Sequence, residues 1–344
     1  CYKKLSMSKK NSSVNLKKGF ENFKDLSKVF LNFRSKLQLS NSKKFAVAVS
    51  GGPDSLALVA LTKAFSYYKK SKFFYVMIDH GIRKDSHREA KKVKNLLKKI
   101  NLNLKIISNK KKIKRNIQGE ARIIRYELLN KYCQKNNIKT LLTAHNLEDQ
   151  VETFLIRLSR GSGLRGLSSM NFKSKIDGKI NLLRPLLEVK KKFLIKISKI
   201  TFKNYIKDPS NKNLKFLRAK VRNLKKPLEK SGINYEQIFK SIRNLSVSKT
   251  TLDSFLKKTF KEIIHKKNKE VLINLKNFKE HNMEVKMAII NNAIKKLKRN
   301  YYDQRSRKIN NLIKNIDKVN FKRATLAGCL FFKKGDNLCL KNEK

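Results

Sequence analysis

A chain of 344 residues, at roughly 150 residues per domain, is long enough for about two domains with a core in each. Hydrophobic residues at 40%, with 20 Phe and 10 Tyr, exclude a wholly disordered chain and a disulfide-stapled miniprotein. Lys and Arg number 84 against 25 Asp and Glu, a net charge of +59, and such an imbalance points to a polyanionic partner, nucleic acid first.

The four cysteines, Cys1, Cys133, Cys329 and Cys339, are scattered without CxxC or metal spacing, as in reduced cytosolic proteins. The longest apolar runs, such as Phe45–Val49, are strand-sized and far short of the roughly 18 residues of a membrane span. The Lys-rich start lacks the apolar stretch of a secretory signal, so a cytoplasmic location without membrane attachment is expected. The first residue is Cys1, not Met, and the chain begins either upstream or at Met7.

In chain order, residues 1–43 form a basic segment in which Phe20, Phe23, Leu26, Phe30 and Phe33 fall on one face of a helix. Lys44–Val49 reads as a buried strand, Ser55–Tyr68 as a helix, Phe73–Ile78 as a strand and Ser86–Ile100 as a helix. Leu104–Ile107 is a third strand, Glu120–Lys135 a third helix, Thr140–Thr143 a fourth strand and Leu147–Ser159 a fourth helix. This alternation predicts right-handed βαβ units around a parallel sheet, an α/β, Rossmann-like fold with ligands at the carboxyl ends of its strands. From about residue 225 the rhythm stops. Tyr235–Asn320 is helix-patterned, with Met287, Ile290, Ile294 and Leu297 on one face, and Ala324–Leu340 reads as a β-hairpin turning at Gly335 and Asn337. The expected domains are the segment 1–43, a catalytic α/β domain over 44–225, and a smaller helical domain over 226–344 that ends in the hairpin.

Ser50-Gly51-Gly52-Pro53-Asp54-Ser55 occupies the first strand-to-helix turn. Two glycines let the backbone approach a ligand, and the helix N-terminus offers N–H groups to a phosphate chain; neither a Walker A loop nor GxGxxG is present. An ordinary tight turn is the alternative. Asp54 beside phosphates requires a divalent cation between the charges, which makes it the candidate metal ligand. After the second strand, Asp79, His80, Gly81, Ile82 and Arg83 precede Ser86 and Glu89, for which a capping box is the favoured reading. Arg122 and Arg125, three apart on the third helix, suit either phosphate contact or a plain surface pair.

After the fourth strand His145, Asp149 and Glu152 follow the spacing i, i+4, i+7 and share a face if the helix starts near His145. Two carboxylates and an imidazole there suit binding an ammonium or a metal and moving a proton, although acids in a first turn also serve the helix dipole. Downstream come the glycine-rich basic loop Arg160–Leu167, Arg184-Pro185, Asp208-Pro209-Ser210-Asn211, Arg218 and Arg222. Flexible glycines among arginines suit gripping a nucleic-acid backbone or closing over a substrate.

With these residues in order, the chain resembles a known family. SGGPDS is similar to the loop of the PP-loop ATP pyrophosphatases, which cleave ATP between the α and β phosphates to adenylate a substrate. The ordered string VMIDHGIRKDSHREA, GEARIIRYELL, LLTAHNLEDQVETFLIRLSRGSGLRGL, LLRPLLEV and DPSNKNLKFLRAKVR resembles the tRNA(Ile)-lysidine synthases. The likeness is strong from about residue 40 to residue 225, and RSRKINNLI and ATLAGCLFFKKGDNLCL are similar to that family's substrate-binding extension.

The resemblance implies an adenine nucleotide α-hydrolase-like PP-loop fold and a ligation. ATP would adenylate the oxygen on carbon 2 of the wobble cytidine in tRNA(Ile) with a CAU anticodon, releasing pyrophosphate, and the ε-amino nitrogen of free L-lysine would displace AMP. Codon reading would change from AUG to AUA and charging from methionine to isoleucine. Ser50, Gly51, Gly52, Pro53, Asp54 and Ser55 would bind ATP, and Asp54 would place Mg²⁺. Arg125 and Arg218 would lie on the activated phosphate or the nucleotide. His145, Asp149 and Glu152 match the family's HxxxDxxE, whose acids would receive the lysine ammonium. A homodimer is left open. Ala219 stands where many relatives carry asparagine, and the end of the chain soon after the hairpin suggests a short form without an additional tRNA-binding domain. Two rival readings are a PP-loop tRNA thiolase, which needs catalytic or cluster-binding cysteines, and a noncatalytic tRNA-binding protein with a decayed ATP loop.

Overall fold

Phe45–Val49 is apolar at every position because both faces of the strand it forms are covered. The computed structural model describes residues 24–82, 85–109, 111, 117–177, 179–206, 213–298 and 306–343. The first of its two units, 1–246, runs through α1 (Lys24–Gln38), β1 (Lys44–Ala48), α2 (Pro53–Ser66), β2 (Lys72–Asp79), α3 (Ser86–Lys98), β3 (Leu104–Ser108), α4 (Ile117–Lys135) and β4 (Thr140–Leu142). It continues with α5 (Leu147–Leu158), the short α6 (Leu164–Leu167), β5 (Lys173–Ile176), β6 (Ile180–Leu183), α7 (Lys191–Phe202), α8 (Leu217–Asn223) and α9 (Lys225–Lys230). The strands lie in the order β3-β2-β1-β4-β6-β5. Neighbours are parallel except β5 and β6, an antiparallel edge pair that the sequence reading did not contain.

Along β1, Phe45, Val47 and Val49 enter a core built with α1, α2, α3 and α7, whereas Ala46 enters a second core with Leu129 and Cys133 of α4. In β2, Tyr75 and Met77 join the first core and Val76 and Ile78 the second. Strands buried on both faces are therefore continuously apolar, as parallel sheets require. On α1 the buried residues Leu26, Val29, Phe30, Phe33 and Leu37 recur every three or four positions. Phe33 meets Phe65 of α2 edge-to-face at 6.3 Å, and truncating such a side chain to alanine costs about 3–5 kcal/mol. Phe20 and Phe23 of the expected helix lie outside the described residues. The chain passes from β1 to β2 on one side, while β4 lies on the other. That reversal opens a crevice beyond the carboxyl ends of β1 and β4, where open α/β sheets bind ligands.

The second unit, 247–344, contains most of α10 (Tyr235–Ile263), then β7 (Ile264–Lys267), β8 (Glu270–Asn274), α11 (Leu275–Lys279), α12 (Met283–Leu297), α13 (Ser306–Ile316), β9 (Arg323–Leu326), β10 (Cys329–Lys334) and β11 (Asn337–Asn342). The expected hairpin is β10–β11, but it forms part of a five-stranded antiparallel sheet ordered β7-β8-β11-β10-β9. β7 and β8 correct the reading of 235–320 as helix throughout. Their turn passes through Asn268 at φ 52°, and asparagine tolerates the left-handed region without the glycine that usually announces a hairpin. Val271 and Ile273 of β8 then share a core with Leu338 and Leu340 of β11 and Ile290 and Ile294 of α12. No helix among the described residues is long and apolar enough to cross a membrane.

Candidate active site

Three features shape the loop after β1. Gly51 has φ +82°, and a Cβ there would stand 2.5 Å from Val93 Cγ2; its carbonyl accepts the Ile206 N–H at 2.9 Å. Gly52 is the N-cap of α2 without a side-chain cap, and Pro53 begins the helix, so the first-turn N–H groups have no partner within the helix. Ser55 Oγ accepts from Ser50 N at 3.1 Å and from Ser50 Oγ at 3.2 Å and donates to the Gly52 carbonyl at 3.0 Å, closing the loop on itself. Asp54, next in line, has Oδ1 buried with no hydrogen-bond partner among the described residues. Burial first, then the nearby Asp149 and Glu148, pushes its carboxyl up to about 6 against the opposing charge of Lys191 and a hydrogen bond from the Asn146 side chain.

Across the crevice, α5 begins at Leu147 as the sequence predicts, so the condition that would set His145 on its face is not met. His145 lies before it: Asn146 is the N-cap of α5 and forms a capping box with Asp149. Asn146 Oδ1 accepts the Asp149 N–H at 2.9 Å and Asp149 Oδ2 accepts the Asn146 N–H at 3.1 Å. The other oxygen, Asp149 Oδ1, accepts from Arg218 Nη2 at 3.0 Å. Glu152, one turn further and 3% exposed, accepts from Arg218 Nε at 2.7 Å and from Arg222 Nε at 2.6 Å. Two acids and two guanidiniums thus form one network, and Glu152 is shielded because charge-assisted hydrogen bonds compensate its burial. Glu148 points elsewhere, accepting the Lys191 N–H at the start of α7 at 2.9 Å.

Arginines also surround the imidazole of His145. Burial, then the charges of Arg184, Arg122, Arg125 and Arg218, holds its pKa well below the ordinary value, so the ring is neutral at pH 7; its Nδ1 lies 3.1 Å from Thr143 Oγ1. Arg122 and Arg125 both stack on the Tyr126 ring, at 5.2 and 5.6 Å. Burial lowers the pKa of Arg125, and the charges of Arg122 and Arg218 add to that against an opposing Tyr126. At the end of β2, burial would raise the pKa of Asp79, but hydrogen bonds from Ser86, the Gly81 N–H and His87 hold it below the ordinary value. Ser86 therefore serves Asp79 rather than a capping box: the N-cap of α3 is Asp85, with no side-chain cap bond. His80 Nδ1 is, like Asp54 Oδ1, buried without a hydrogen-bond partner among the described residues, and such groups suit completion by a polar ligand.

The structure therefore gathers Ser50–Ser55, Asp54, Arg125, His145, Asp149, Glu152 and Arg218 around one crevice. Asp208, Pro209, Ser210 and Asn211, and Arg83, lie outside the described residues. The loop Arg160–Leu167 is braced by Arg157 Nη1, which donates to the carbonyls of Gly166 at 2.7 Å and Ser169 at 3.0 Å. Sequence reading missed Asn146 and Lys191. Asn146 carried a signal, an asparagine three residues before an acid at the start of an apolar helix; Lys191 carried none, since only tertiary folding brings it to Asp54.

Residues 22–228 match the family described as the PP-loop domain. Over 312 residues, 88% of this chain and 71% of the relative, the sequence is 34% identical to the tRNA(Ile)-lysidine synthase of Wolbachia pipientis wMel. Over 297 residues, 83% of this chain and 67% of the relative, it is 35% identical to the tRNA(Ile)-lysidine synthase of Orientia tsutsugamushi (strain Boryong). Among solved structures, the U34-tRNA thiolase NcsA from Methanococcus maripaludis, with its 4Fe–4S cluster, matches with a TM-score of 0.54 over 64% of this chain and 79% of that chain at 19% identity; this is a likeness of fold.

Proposed function

The chain belongs to the tRNA(Ile)-lysidine synthases, ATP-dependent ligases of the PP-loop group that form lysidine in tRNA, and from that premise we propose that its crevice joins free lysine to carbon 2 of the wobble cytidine of a CAU-anticodon tRNA(Ile) through an adenylated cytidine. In the first step the base oxygen attacks the α-phosphorus of ATP, the bond to the β-phosphate breaks, and pyrophosphate leaves. The Ser50–Ser55 backbone holds the phosphates at the α2 N-terminus. Asp54 suits a divalent cation, because its orphaned, buried Oδ1 and raised pKa mark a carboxylate that a cation would complete and ionise. Mg²⁺ held there would offset charge on the departing pyrophosphate. No group of three His, Cys, Asp or Glu among the described residues could hold a metal, so phosphate oxygens and water would supply its other ligands. Arg125 and Arg218 would stabilise charge on the adenylate phosphate.

In the second step the bound lysine ammonium first gives up a proton, the freed ε-amino lone pair then attacks carbon 2, and AMP leaves with the bonding electrons. Asp149 and Glu152 draw the ammonium once Arg218 turns from them to the phosphate, and His145, kept neutral, accepts the proton. The observation that carries this reading is the meeting of phosphate loop and acid–arginine network in one crevice: Asp54 feels Asp149, and Arg222 feels Asp54. The thiolase alternative fares worse. Burial pushes the Cys133 thiol up to about 11 and raises those of Cys329 and Cys339, and such thiols are poor nucleophiles. Incubation with ATP, Mg²⁺, isotope-labelled lysine and unmodified tRNA, followed by nucleoside mass spectrometry, should yield a labelled lysine–cytidine adduct that requires ATP. ATP turned over to AMP and pyrophosphate without that adduct would refute lysine as the nucleophile.

A further inference from the structure

Most lysines among the described residues are exposed, but one group lines a hollow at the opposite end of the sheet from the Ser50–Ser55 loop. A cavity of about 520 Å³ lies between the last turn of α1, the first residues of β1 and β4, and the β5–β6 pair, and Lys36, Lys43, Lys44, Lys139 and Lys173 line it without a single acid. Lys36 is engaged, its Nζ 2.6 Å from Glu188 Oε2. Lys43, Lys44, Lys139 and Lys173 are exposed and have no ion-pair partner among the described residues. Four unpaired cations around one hollow repel each other and gather counterions, and a polyanion that displaces those counterions is favoured by their release.

The rest of the lining is unlike a plain basic surface. Leu39 is 80% exposed and, with the half-buried Phe172, gives the hollow an apolar wall, while Asn137 and Asn181 present amides. Apolar and aromatic faces for a base, amides for its edges and lysines for flanking phosphates are the elements by which proteins hold unpaired nucleotides, and the volume falls in the range of roughly 300–1,000 Å³ typical of ligand pockets. We propose that this hollow is a second RNA-binding site, which takes an unpaired nucleotide and its adjoining phosphates from a part of the tRNA other than the reacting base. The inference rests on tRNA being the substrate.

The test is binding of unmodified tRNA(Ile) across a salt series, by fluorescence anisotropy, to wild type and to a Lys43→Gln, Lys139→Gln, Lys173→Gln variant. Three lost phosphate contacts should lower the slope of log affinity against log salt by about 2 and weaken binding at least tenfold near physiological salt, with kcat at saturating tRNA kept and KM for tRNA raised. Leu39→Asp, at a position too exposed to unfold the chain, should weaken binding several-fold. Equal affinity and slope in a triple variant that melts like wild type would overturn the proposal, as would a variant that loses binding of inorganic polyphosphate but not of tRNA. Wild type that binds no tRNA at all would instead remove the functional reading on which the proposal stands.

Discussion

Replacing Asp54 with asparagine should stabilise the ligand-free protein while abolishing its activity. The Asp54 carboxyl is pushed from 3.8 to about 6, chiefly by burial, and its Oδ1 has no partner among the described residues. Below pH 3.8 the folded and unfolded chains both keep the proton and there is no penalty; between 3.8 and about 6 only the unfolded chain ionises, so stability falls as pH rises, and above 6 the loss is complete. At about 1.4 kcal/mol per pH unit, this window of about two units amounts to about 3 kcal/mol. Asp54→Asn has no charge to desolvate and escapes it. Urea unfolding measures the difference: midpoints should nearly coincide at about pH 4, and the variant should be more stable by about 2–3 kcal/mol at about pH 7, with the urea slopes unchanged. Mg²⁺ with ATP should raise the stability of wild type alone. A variant no more stable than wild type at the higher pH, or a gap equal at both, would refute the reasoning.

Gly51→Ala introduces a Cβ at φ +82°, 2.5 Å from Val93 Cγ2 and 3.2 Å from Ile206 Cγ1. Left-handed strain and overpacking together should destabilise the protein by about 3 kcal/mol and raise KM for ATP, whereas Gly52→Ala, which meets only Ser50 Oγ at 3.8 Å, should fold normally; equal melting of the two variants would contradict the close approach at Gly51. Glu152→Gln removes the charge that anchors Arg218 and Arg222, whose side chains are 33% and 29% exposed. With screening by solvent the loss should be about 1–2 kcal/mol, and KM for lysine should rise while tRNA-dependent pyrophosphate release persists; loss of that release would place Glu152 in the first step. Because His145 is held well below 6.5 by burial and four arginines, the acid limb of the lysidine-forming rate should fall below pH 6.5, and a limb at or above that value would contradict an imidazole whose proton affinity its surroundings depress.

Local pattern made much of this molecule legible. The continuous apolar runs of β1 and β2 betray strands covered on both faces, and the Gly-Gly-Pro turn falls between strand and helix as the sequence predicts. The helix expected from Leu147 begins at that residue, but the spacing of His145, Asp149 and Glu152 did not show that Asn146 claims the N-cap and one oxygen of Asp149, which leaves His145 outside the helix. What stayed hidden is non-local. Arg218 and Arg222 reach Glu152 across 66 and 70 residues, and nothing in either segment announces the other. β5, with its burial alternating between exposed and partial, offers little apolar signal, and the β7–β8 turn substitutes Asn268 for the glycine that hairpins usually show.

The most direct test of the two-step account withholds lysine. Enzyme, unmodified tRNA(Ile), ATP and Mg²⁺ are mixed and quenched over time, and pyrophosphate, AMP and adenylated tRNA are quantified. The account predicts a burst of pyrophosphate that matches the number of active sites, with AMP retained on the tRNA until lysine is added and then released together with the lysidine product. Pyrophosphate that appears only after lysine is added, or AMP released at the same rate without it, would contradict an adenylated cytidine as the intermediate.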